Sequence, residues 1–294
     1  MHADSARNRL LGIGLISLTI LCFAVLEAGA KWLVRSLPVM EAVFLRFFLH
    51  FLFTTALLAP RHGLALVRTR RPWLQLARGC FLPVMTGMNF WALQYLQLAE
   101  TGAIQFTVPI LIALFAAPLL GERLDRARWI AILVGFIGVL VIIRPGTQGF
   151  HPALLLALAN AVLYALFNLL TRHLAAYDSA EATQFIAGAV AVVTLAPFAF
   201  AVWQTPQGWL PWAVAVLIGI AGGMGHYLLA LAHRYAPASV LGPFLYQQII
   251  WMVLLGYLVF GDLPDAPVVL GCAIVVASGG YLLWRERRSV KPGA

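Results

Sequence analysis

The stretch from Ala99 to Arg144 decides the fold, and it reads AETGAIQFTVPILIALFAAPLLGERLDRARWIAILVGFIGVLVIIR. An apolar run ends at Gly121, a short charged turn follows, and a second apolar run begins near Ala127. Each run is about 17–22 residues long, which is enough for an α-helix to cross the hydrocarbon core of a bilayer. The charged turn between the two runs is therefore expected in water or among lipid headgroups.

The same pattern returns from Ser239 to Trp284. A shift of 140 positions lays Gly121-Glu122 on Gly261-Asp262, and the apolar runs on either side then align without a gap. This order of helix, glycine-acid turn and helix predicts that the chain is a duplication. We expect a first repeat over residues 1–145 and a second repeat over residues 146–294.

Composition indicates the class of protein. The 294 residues are 62% hydrophobic and 11% charged, whereas a soluble domain has about 25% charged residues. The apolar runs are long and show no strand-like alternation, which predicts an all-α integral membrane protein. The net charge of +9 comes from loops and tails, so we expect no nucleic-acid partner. The three cysteines form no CxxC motif, and we expect no disulfide, metal or cofactor.

Ten transmembrane helices fit the chain, with prolines at or near most of the breaks. We predict them at 10–34, 38–59, 73–96, 101–120, 127–144, 152–173, 180–203, 209–233, 238–260 and 266–285. Most of the 20 lysines and arginines fall in alternate loops, Arg78 being counted with the loop before helix three. The positive-inside rule then places both termini in the cytoplasm, which makes this a multi-pass protein of a bacterial inner membrane.

Duplication and topology together predict inverted repeats. Each half has five helices, an odd number, so the halves enter the membrane from opposite sides. This architecture suits alternating access around a site near the midplane, and it favours transport over a duplicated scaffold. No Walker A motif occurs, so ATP is not the expected energy source. An enzyme is not expected either, because no HExxH, GxSxG or clustered His/Asp set is present.

Three stretches resemble a known group: the LGE turn, TGAIQFTVPI with its mid-helix proline, and PASVLGPFLYQQIIWMVLLGYLVFGD. They are similar to the EamA-type members of the drug/metabolite transporter superfamily, and the length and layout resemble the YddG-type amino-acid exporters. The resemblance covers nearly the whole chain. It implies a central substrate cavity surrounded chiefly by the third, fourth, eighth and ninth helices, with the first and sixth close by. It implies little about the substrate.

Uncharged polar and aromatic residues are the candidates for binding the substrate. Several share helix faces at i,i+4 spacing, and the glutamines are costly in lipid unless they face protein or water. The alternative is that they are interhelical hydrogen-bond contacts. The candidates are Asn89, Trp91, Tyr95, Gln105, Pro109, Tyr164, His226, Tyr227, Tyr246, Gln248 and Trp251.

Ionisable residues within the helices are the candidates for gating or proton coupling, because each is costly in the membrane unless it is paired or wetted. Glu27 and Lys31 can pair at i,i+4, and Arg46 is the only arginine that the sequence places deep in a helix. The alternative is a structural ion-pair cluster that ties helix one to helix two.

These residues predict a secondary transporter for a small neutral or zwitterionic metabolite. We expect export of amino acids, aromatic ones in particular, because the candidates combine aromatic rings with amides and few buried charges. The alternatives are a transporter for vitamins or nucleotide-like metabolites such as riboflavin or S-adenosylmethionine, and a flippase for a lipid-linked substrate. The other expected partners are the lipid bilayer and, at most, a second copy in a weak homodimer.

Overall fold

A computed structural model describes residues 6–108, 110–112, 114–115, 126–144, 150–174, 176–235, 241, 244–245 and 247–289. Ten α-helices follow one another along this part of the chain. The first five are α1 (Ala6–Leu33), α2 (Val39–His62), α3 (Pro72–Leu93), α4 (Leu98–Gln105) and α5 (Arg126–Ile143). The second five are α6 (Ala153–Leu174), α7 (Ala180–Ala201), α8 (Leu210–Tyr235), α9 (Gln247–Leu255) and α10 (Ala266–Ser289).

The predicted glycine-acid turn of the second half lies between two helical segments. A π-helical turn, Gly256–Phe260, follows α9 and ends at Gly261. Gly261 has φ 73°, a left-handed conformation that a side chain would strain. Its N–H donates to the Tyr257 carbonyl at 2.9 Å. The equivalent turn at Gly121-Glu122 lies outside the described residues.

The contacts between helices repeat when the two halves are exchanged. Helix α1 packs on α8 and α9, and its equivalent α6 packs on α3 and α4. Helix α2 packs on α8 in the same way that α7 packs on α3. Three more contacts, α2 with α7, α4 with α9 and α5 with α10, join a helix to its own equivalent. The protein is therefore an all-α membrane protein whose ten helices form two inverted five-helix repeats.

Helices α5 and α10 pack closely enough that their backbones touch. A Cβ atom on Gly138 would lie 2.9 Å from the Gly271 carbonyl oxygen, and one on Gly271 would lie 2.7 Å from the Gly138 carbonyl oxygen. Because both obstacles are backbone atoms, neither can move aside, and only glycine permits this approach. The pair forms a tight contact between the two repeats.

Hydropathy separates α3 from the other helices. Helices α1, α2, α6, α7 and α8 are long and apolar enough to span a membrane, and α4, α5, α9 and α10 contain shorter apolar segments. Among the described helices, α3 falls in neither group. It buries Gln75, Arg78 and Asn89. Polar side chains of this kind face the interior of a membrane protein, so α3 points toward a polar centre.

Candidate functional site

A small cavity with polar and aromatic lining residues, here called the central cavity, lies between the two repeats. Its walls come from α2 and α3 of the first repeat and from α6, α7 and α8 of the second, and its volume is about 20 Å³. The lining residues are Arg46, Phe47, His50, Arg78, Leu82, Phe167, Gln184, Gly188 and His226. Among the described residues, none from α4 or α9 lines the cavity, although the family resemblance implied both helices, and parts of both predicted spans lie outside the described residues. Helices α2 and α7 contribute, together with α6, which the resemblance placed close by.

Arg78 lines the central cavity rather than a loop, which corrects the expectation that Arg46 is the only deeply placed arginine. It lies six residues after Pro72, about 9 Å along α3, and is 6% exposed. Its Nε donates to Thr171 Oγ1 at 2.8 Å, and its Nη1 donates to the Thr183 carbonyl at 3.3 Å. The guanidinium also covers the Phe167 ring at 4.4 Å from the centroid. Arg78 thus links α3 to α6 and α7 and brings a positive charge to the cavity.

Arg46 brings a second positive charge, from α2. It is 7% exposed, and its guanidinium lies over the Phe47 ring at 4.3 Å from the centroid. Its Nη1 reaches Thr86 Oγ1 at 3.5 Å, the outer limit of a hydrogen bond. Glu27 is near enough to attract Arg46 electrostatically, and its Oε2 accepts a hydrogen bond from Asn89 Nδ2 at 2.8 Å. Glu27, Arg46 and Asn89 therefore form one polar group across α1, α2 and α3.

Two histidines complete the polar lining. The His50 and His226 rings lie 5.9 Å apart, and His226 also packs edge-on against Phe23 at 5.1 Å. His50 Nε2 lies 3.1 Å from Gln184 Nε2. The His50 tautomer determines which nitrogen of this pair donates. Among the described residues, no group of three or more His, Cys, Asp or Glu side chains could hold a metal ion.

The predicted pairing of Glu27 with Lys31 is wrong. Lys31 Nζ instead forms an ion pair with Asp262 Oδ2 at 2.5 Å and lies 4.8 Å from the centroid of the Phe260 ring. Spacing along one helix identifies neighbours on that helix only. The fold brings Asp262 from the turn after α9 to Lys31, while Glu27 turns to α3. The ion pair joins α1 to the end of the π-helical turn and lies apart from the central cavity.

Tyr164 and His226 are the predicted binding residues that lie at or next to Arg78. His226 lines the cavity, and Tyr164 interacts electrostatically with Arg78. The Tyr164 ring also stacks on Phe167, with centroids 6.1 Å apart and an interplanar angle of 14°. Tyr164 of α6 therefore lies beside Arg78, and His226 of α8 lies in the cavity lining with both arginines. Asn89 of α3 is connected to this group through Glu27.

The other predicted residues do not line the central cavity. Trp91 is 48% exposed and Tyr95 is 59% exposed, with the Tyr95 ring stacked on His151 at 4.9 Å. Tyr227 is also exposed. Trp251 packs against an apolar cluster that includes Ile16. Two more predicted residues, Gln105 and Gln248, are half-buried, while Pro109 and Tyr246 lie outside the described residues.

Three polar lining residues escaped the sequence analysis: His50, Arg78 and Gln184. For two of them, the spacing along the helix could have predicted the position. His50 follows Arg46 at i,i+4 and so shares its face of α2. Arg78 follows Gln75 by three residues, which gives α3 a polar face rather than a loop. For Gln184 the sequence offers no comparable signal, because only the packing of α7 on α2 brings it to His50.

Comparison with known proteins identifies the family to which the chain belongs. The profile of the EamA-like transporter family matches residues 10–144 and 151–283. A protein of known crystal structure is 23% identical and has a TM-score of 0.62, covering 98% of this chain and 100% of that one. At this identity the structural match supports the fold alone.

Three curated relatives align along most of their length. The S-adenosylmethionine uptake transporter of Rickettsia felis is 25% identical, with 98% of this chain and 97% of the relative covered. The riboflavin transporter of Rhizobium johnstonii is 30% identical, with 92% and 91% covered. The pseudopaline exporter of Pseudomonas aeruginosa is 28% identical, with 91% and 94% covered. All three are transporters of small molecules.

Proposed function

Because this chain belongs to the EamA-like transporter family, we propose that it carries a small polar metabolite across the inner membrane through the central cavity. The observation that carries this proposal is the position of the cavity, whose polar walls come from both repeats. In an inverted repeat, the two halves can exchange conformations, which opens a shared site first to one side and then to the other. The substrate leaves unchanged, so no catalysis is proposed.

The names of the relatives bear on the substrate. S-adenosylmethionine, riboflavin and pseudopaline favour the alternative of a vitamin or nucleotide-like metabolite over amino acids. The Tyr164–Phe167 stack next to Arg78 suits a substrate with a planar ring. We therefore propose a ring-bearing metabolite as the leading substrate and retain aromatic amino acids in the test. Both uptake and export transporters occur among the relatives, so the direction of transport is part of the experiment.

Lys31 is our proposed gating residue. Its ion pair with Asp262 ties α1 to the segment after α9, and the two helices also pack on each other. Breaking this ion pair would let α1 move relative to α9. Glu27 and Arg46, by contrast, are proposed as cavity residues because they lie with Asn89 and the cavity lining.

The proposed function is tested by uptake into proteoliposomes. Labelled riboflavin, S-adenosylmethionine, phenylalanine and tryptophan would be supplied with and without an imposed pH gradient. We expect saturable uptake of at least one compound, and the gradient separates proton-coupled transport from facilitated diffusion. Absence of uptake of all four by folded, inserted protein would contradict this substrate range.

A pair of glutamine variants connects uptake to the cavity. Gln184 lines it, and Gln207 is an exposed residue of the loop before α8. We expect Gln184→Leu to lower uptake several-fold and Gln207→Leu to leave it unchanged. Equal uptake by the two variants would remove the central cavity from the transport path.

A flippase for a lipid-linked phosphate is the second candidate, because two buried arginines suit a phosphate group. Such a protein would bind its substrate from the bilayer and would not take up water-soluble compounds. Saturable uptake of any of the four compounds would therefore argue against it.

The orientation and the oligomeric state are further proposals. We propose that both termini are cytoplasmic and that the protein acts as a monomer or a weak homodimer, without a nucleic-acid partner. A reporter fused to the C-terminus would show the side on which it lies. Light scattering of the detergent-solubilised protein would give its mass.

A further inference from the structure

The charges of the central cavity are not balanced by neighbouring protein groups. Arg46 and Arg78 are both buried, and of the described residues Glu27 is the carboxylate whose charge acts on Arg46. Within the part of the chain that the structure describes, no carboxylate oxygen lies within salt-bridge distance of either guanidinium. A buried charge without a close partner is costly in a membrane protein, and it marks a site where something else supplies the opposite charge.

Two buried nitrogen atoms at the same place, Arg46 Nε and His50 Nδ1, have no hydrogen-bond partner among the described residues. Arg78 uses Nε and Nη1 for Thr171 and Thr183, and its Nη2 donates to none of the described residues. A guanidinium has five N–H donors and no acceptor, so only a group rich in acceptors satisfies what remains. A carboxylate or a phosphate is such a group.

Lys31 shows that this arrangement is not general in the chain. Its ammonium is as buried as the two guanidinium groups, with 6% of its side chain exposed, yet it has a carboxylate partner at 2.5 Å. The fold thus pairs a buried cation where the contact is between helices. At the cavity it leaves Arg46 and Arg78 without a carboxylate at salt-bridge distance among the described residues.

We propose that the central cavity binds an oxyanion of the substrate, a carboxylate or a phosphate, between Arg78 and Arg46. This inference rests on the proposed function, because the anion belongs to the molecule that is carried. The two arginines and Glu27 leave one formal positive charge, which a single negative group neutralises. The Tyr164–Phe167 stack beside Arg78 then receives the ring of the same molecule. Anionic compounds are thereby preferred over neutral ones of the same shape.

The test compares matched pairs that differ only in the anionic group. Riboflavin 5′-phosphate is paired with riboflavin, and phenylalanine with phenylalaninamide, so that one pair reports on phosphate and the other on carboxylate. Binding to the full chain in lipid nanodiscs would be measured by calorimetry. We expect the anionic member of at least one pair to bind about 10- to 100-fold more tightly, the range for hydrogen bonds to a charged group.

Variants assign the preference to the cavity. Arg78→Gln and Arg46→Gln should each abolish it, and Arg61→Gln, at an exposed position outside the cavity, should retain it. Should a glutamine variant not fold, Arg78→Lys keeps the charge while losing the planar donor fork, and it should reduce the preference. A preference for the anionic member that remains in every folded variant of Arg78 and Arg46 would overturn the proposal.

The binding outcomes are separable from those of the transport test. Equal binding of both members of each pair, tighter binding of the members that lack the anionic group, or no binding of any member would overturn the oxyanion site. Uptake of riboflavin 5′-phosphate or phenylalanine with unchanged kinetics in Arg78→Gln would leave the transport function intact and remove this inference. Anion-selective binding without uptake would support the site and contradict transport of these compounds.

Discussion

Two basic side chains near the ends of the helix bundle are paired with carboxylates, whereas the two arginines at its centre have no such partner among the described residues. Near the end of α1, Lys31 pairs with Asp262, and before α10 Asp265 pairs with Arg144 at 2.7 Å. In the central cavity, Arg46 and Arg78 have aromatic rings and hydroxyl groups as neighbours, but no carboxylate at salt-bridge distance among the described residues. Burial is therefore not what separates the two regions, since Lys31 is as buried as the arginines.

The difference indicates what each charge is for. A buried cation with a carboxylate partner holds elements together, and removing the partner leaves an uncompensated charge. A buried cation without one contributes little to folding and remains available to a ligand. The comparison thus predicts that ion-pair variants lose stability, whereas cavity variants lose binding.

Asp262→Asn should have the largest effect on stability. The side chain of Asp262 is 25% exposed, but Lys31 would remain buried without a negative partner. We expect the free energy of unfolding to fall by about 3 kcal/mol, as when a buried ion pair loses one member. Thermal unfolding in nanodiscs, followed by tryptophan fluorescence, would measure it. An unchanged melting temperature would contradict this prediction, because the buried pair would then stabilise the protein no more than an exposed one.

Asp178→Asn should have a smaller effect, at the loop between α6 and α7. Asp178 accepts hydrogen bonds from Thr69 Oγ1, the Arg70 N–H and Gln75 Nε2. Partial desolvation opposes ionisation, but these hydrogen bonds outweigh it and lower the pKa of Asp178. We expect a loss of about 1 kcal/mol from the neutral variant at pH 7.

The same group predicts a pH dependence of stability. A carboxyl group whose pKa is lowered by folding stabilises the native state above its unfolded pKa of about 3.9, and that contribution is lost as the pH falls through its native pKa. The wild type should therefore begin to lose its advantage over Asp178→Asn as the pH falls below about 4. Parallel melting curves at pH 7 and pH 3.5 would show it. An advantage as large at pH 3.5 as at pH 7 would contradict the role of the ionised carboxylate.

Arg78→Met tests whether the charge of Arg78 contributes to stability or to anion binding. The variant loses two hydrogen bonds but also removes a desolvated charge, so we expect stability to change by no more than about 1 kcal/mol. Thr171 keeps a partner, because its hydroxyl also donates to the Phe167 carbonyl at 2.7 Å. The preference for anionic probes should disappear in the same preparation. A loss of stability as large as that of Asp262→Asn would instead make Arg78 a structural charge.

Asp265→Asn should have the smallest effect and serves as the matched control for Asp262→Asn. Its pair with Arg144 is more exposed, at 49% for Asp265, and exposed pairs contribute about 0–1 kcal/mol. Asp265 Oδ1 also accepts from the Val268 N–H at the start of α10, and asparagine caps a helix equally well. We expect a melting temperature within about 2 °C of the wild type. A large shift would show that position, rather than burial, sets the energy of these pairs.

The helices and the repeats could be read from the sequence because they depend on local patterns. A run of apolar residues long enough to span the bilayer must be helical, since lipid offers its backbone no hydrogen-bond partner. The glycine-acid pair between two apolar runs predicted the turn at Gly261, and the structure adds its left-handed conformation. Eight of the ten helices accordingly begin and end close to the predicted positions. The exceptions are α4, which ends at Gln105, and α9, which begins at Gln247, and parts of both predicted spans lie outside the described residues.

The residues of the candidate site were harder to predict from the sequence, because they depend on which helix faces pack against each other. Trp91 lies in the last turn of α3 and Tyr95 two residues beyond its end, and both are exposed. The residues of α3 that line the cavity are Arg78 and Leu82. The error over Glu27 has the same origin. Its partner Asn89 lies 62 positions away in the sequence, and no periodicity within one helix reports such a contact.

The sequence by itself thus determined the membrane helices, their duplication and their inverted order, because these follow from hydropathy, glycine turns and an odd number of helices in each half. Only the tertiary structure decided which buried charges are paired. That choice depends on distances of a few ångströms between side chains on different helices, such as Lys31 with Asp262. It depends equally on the packing that brings Arg46 and Arg78 to one cavity, away from any such partner among the described residues.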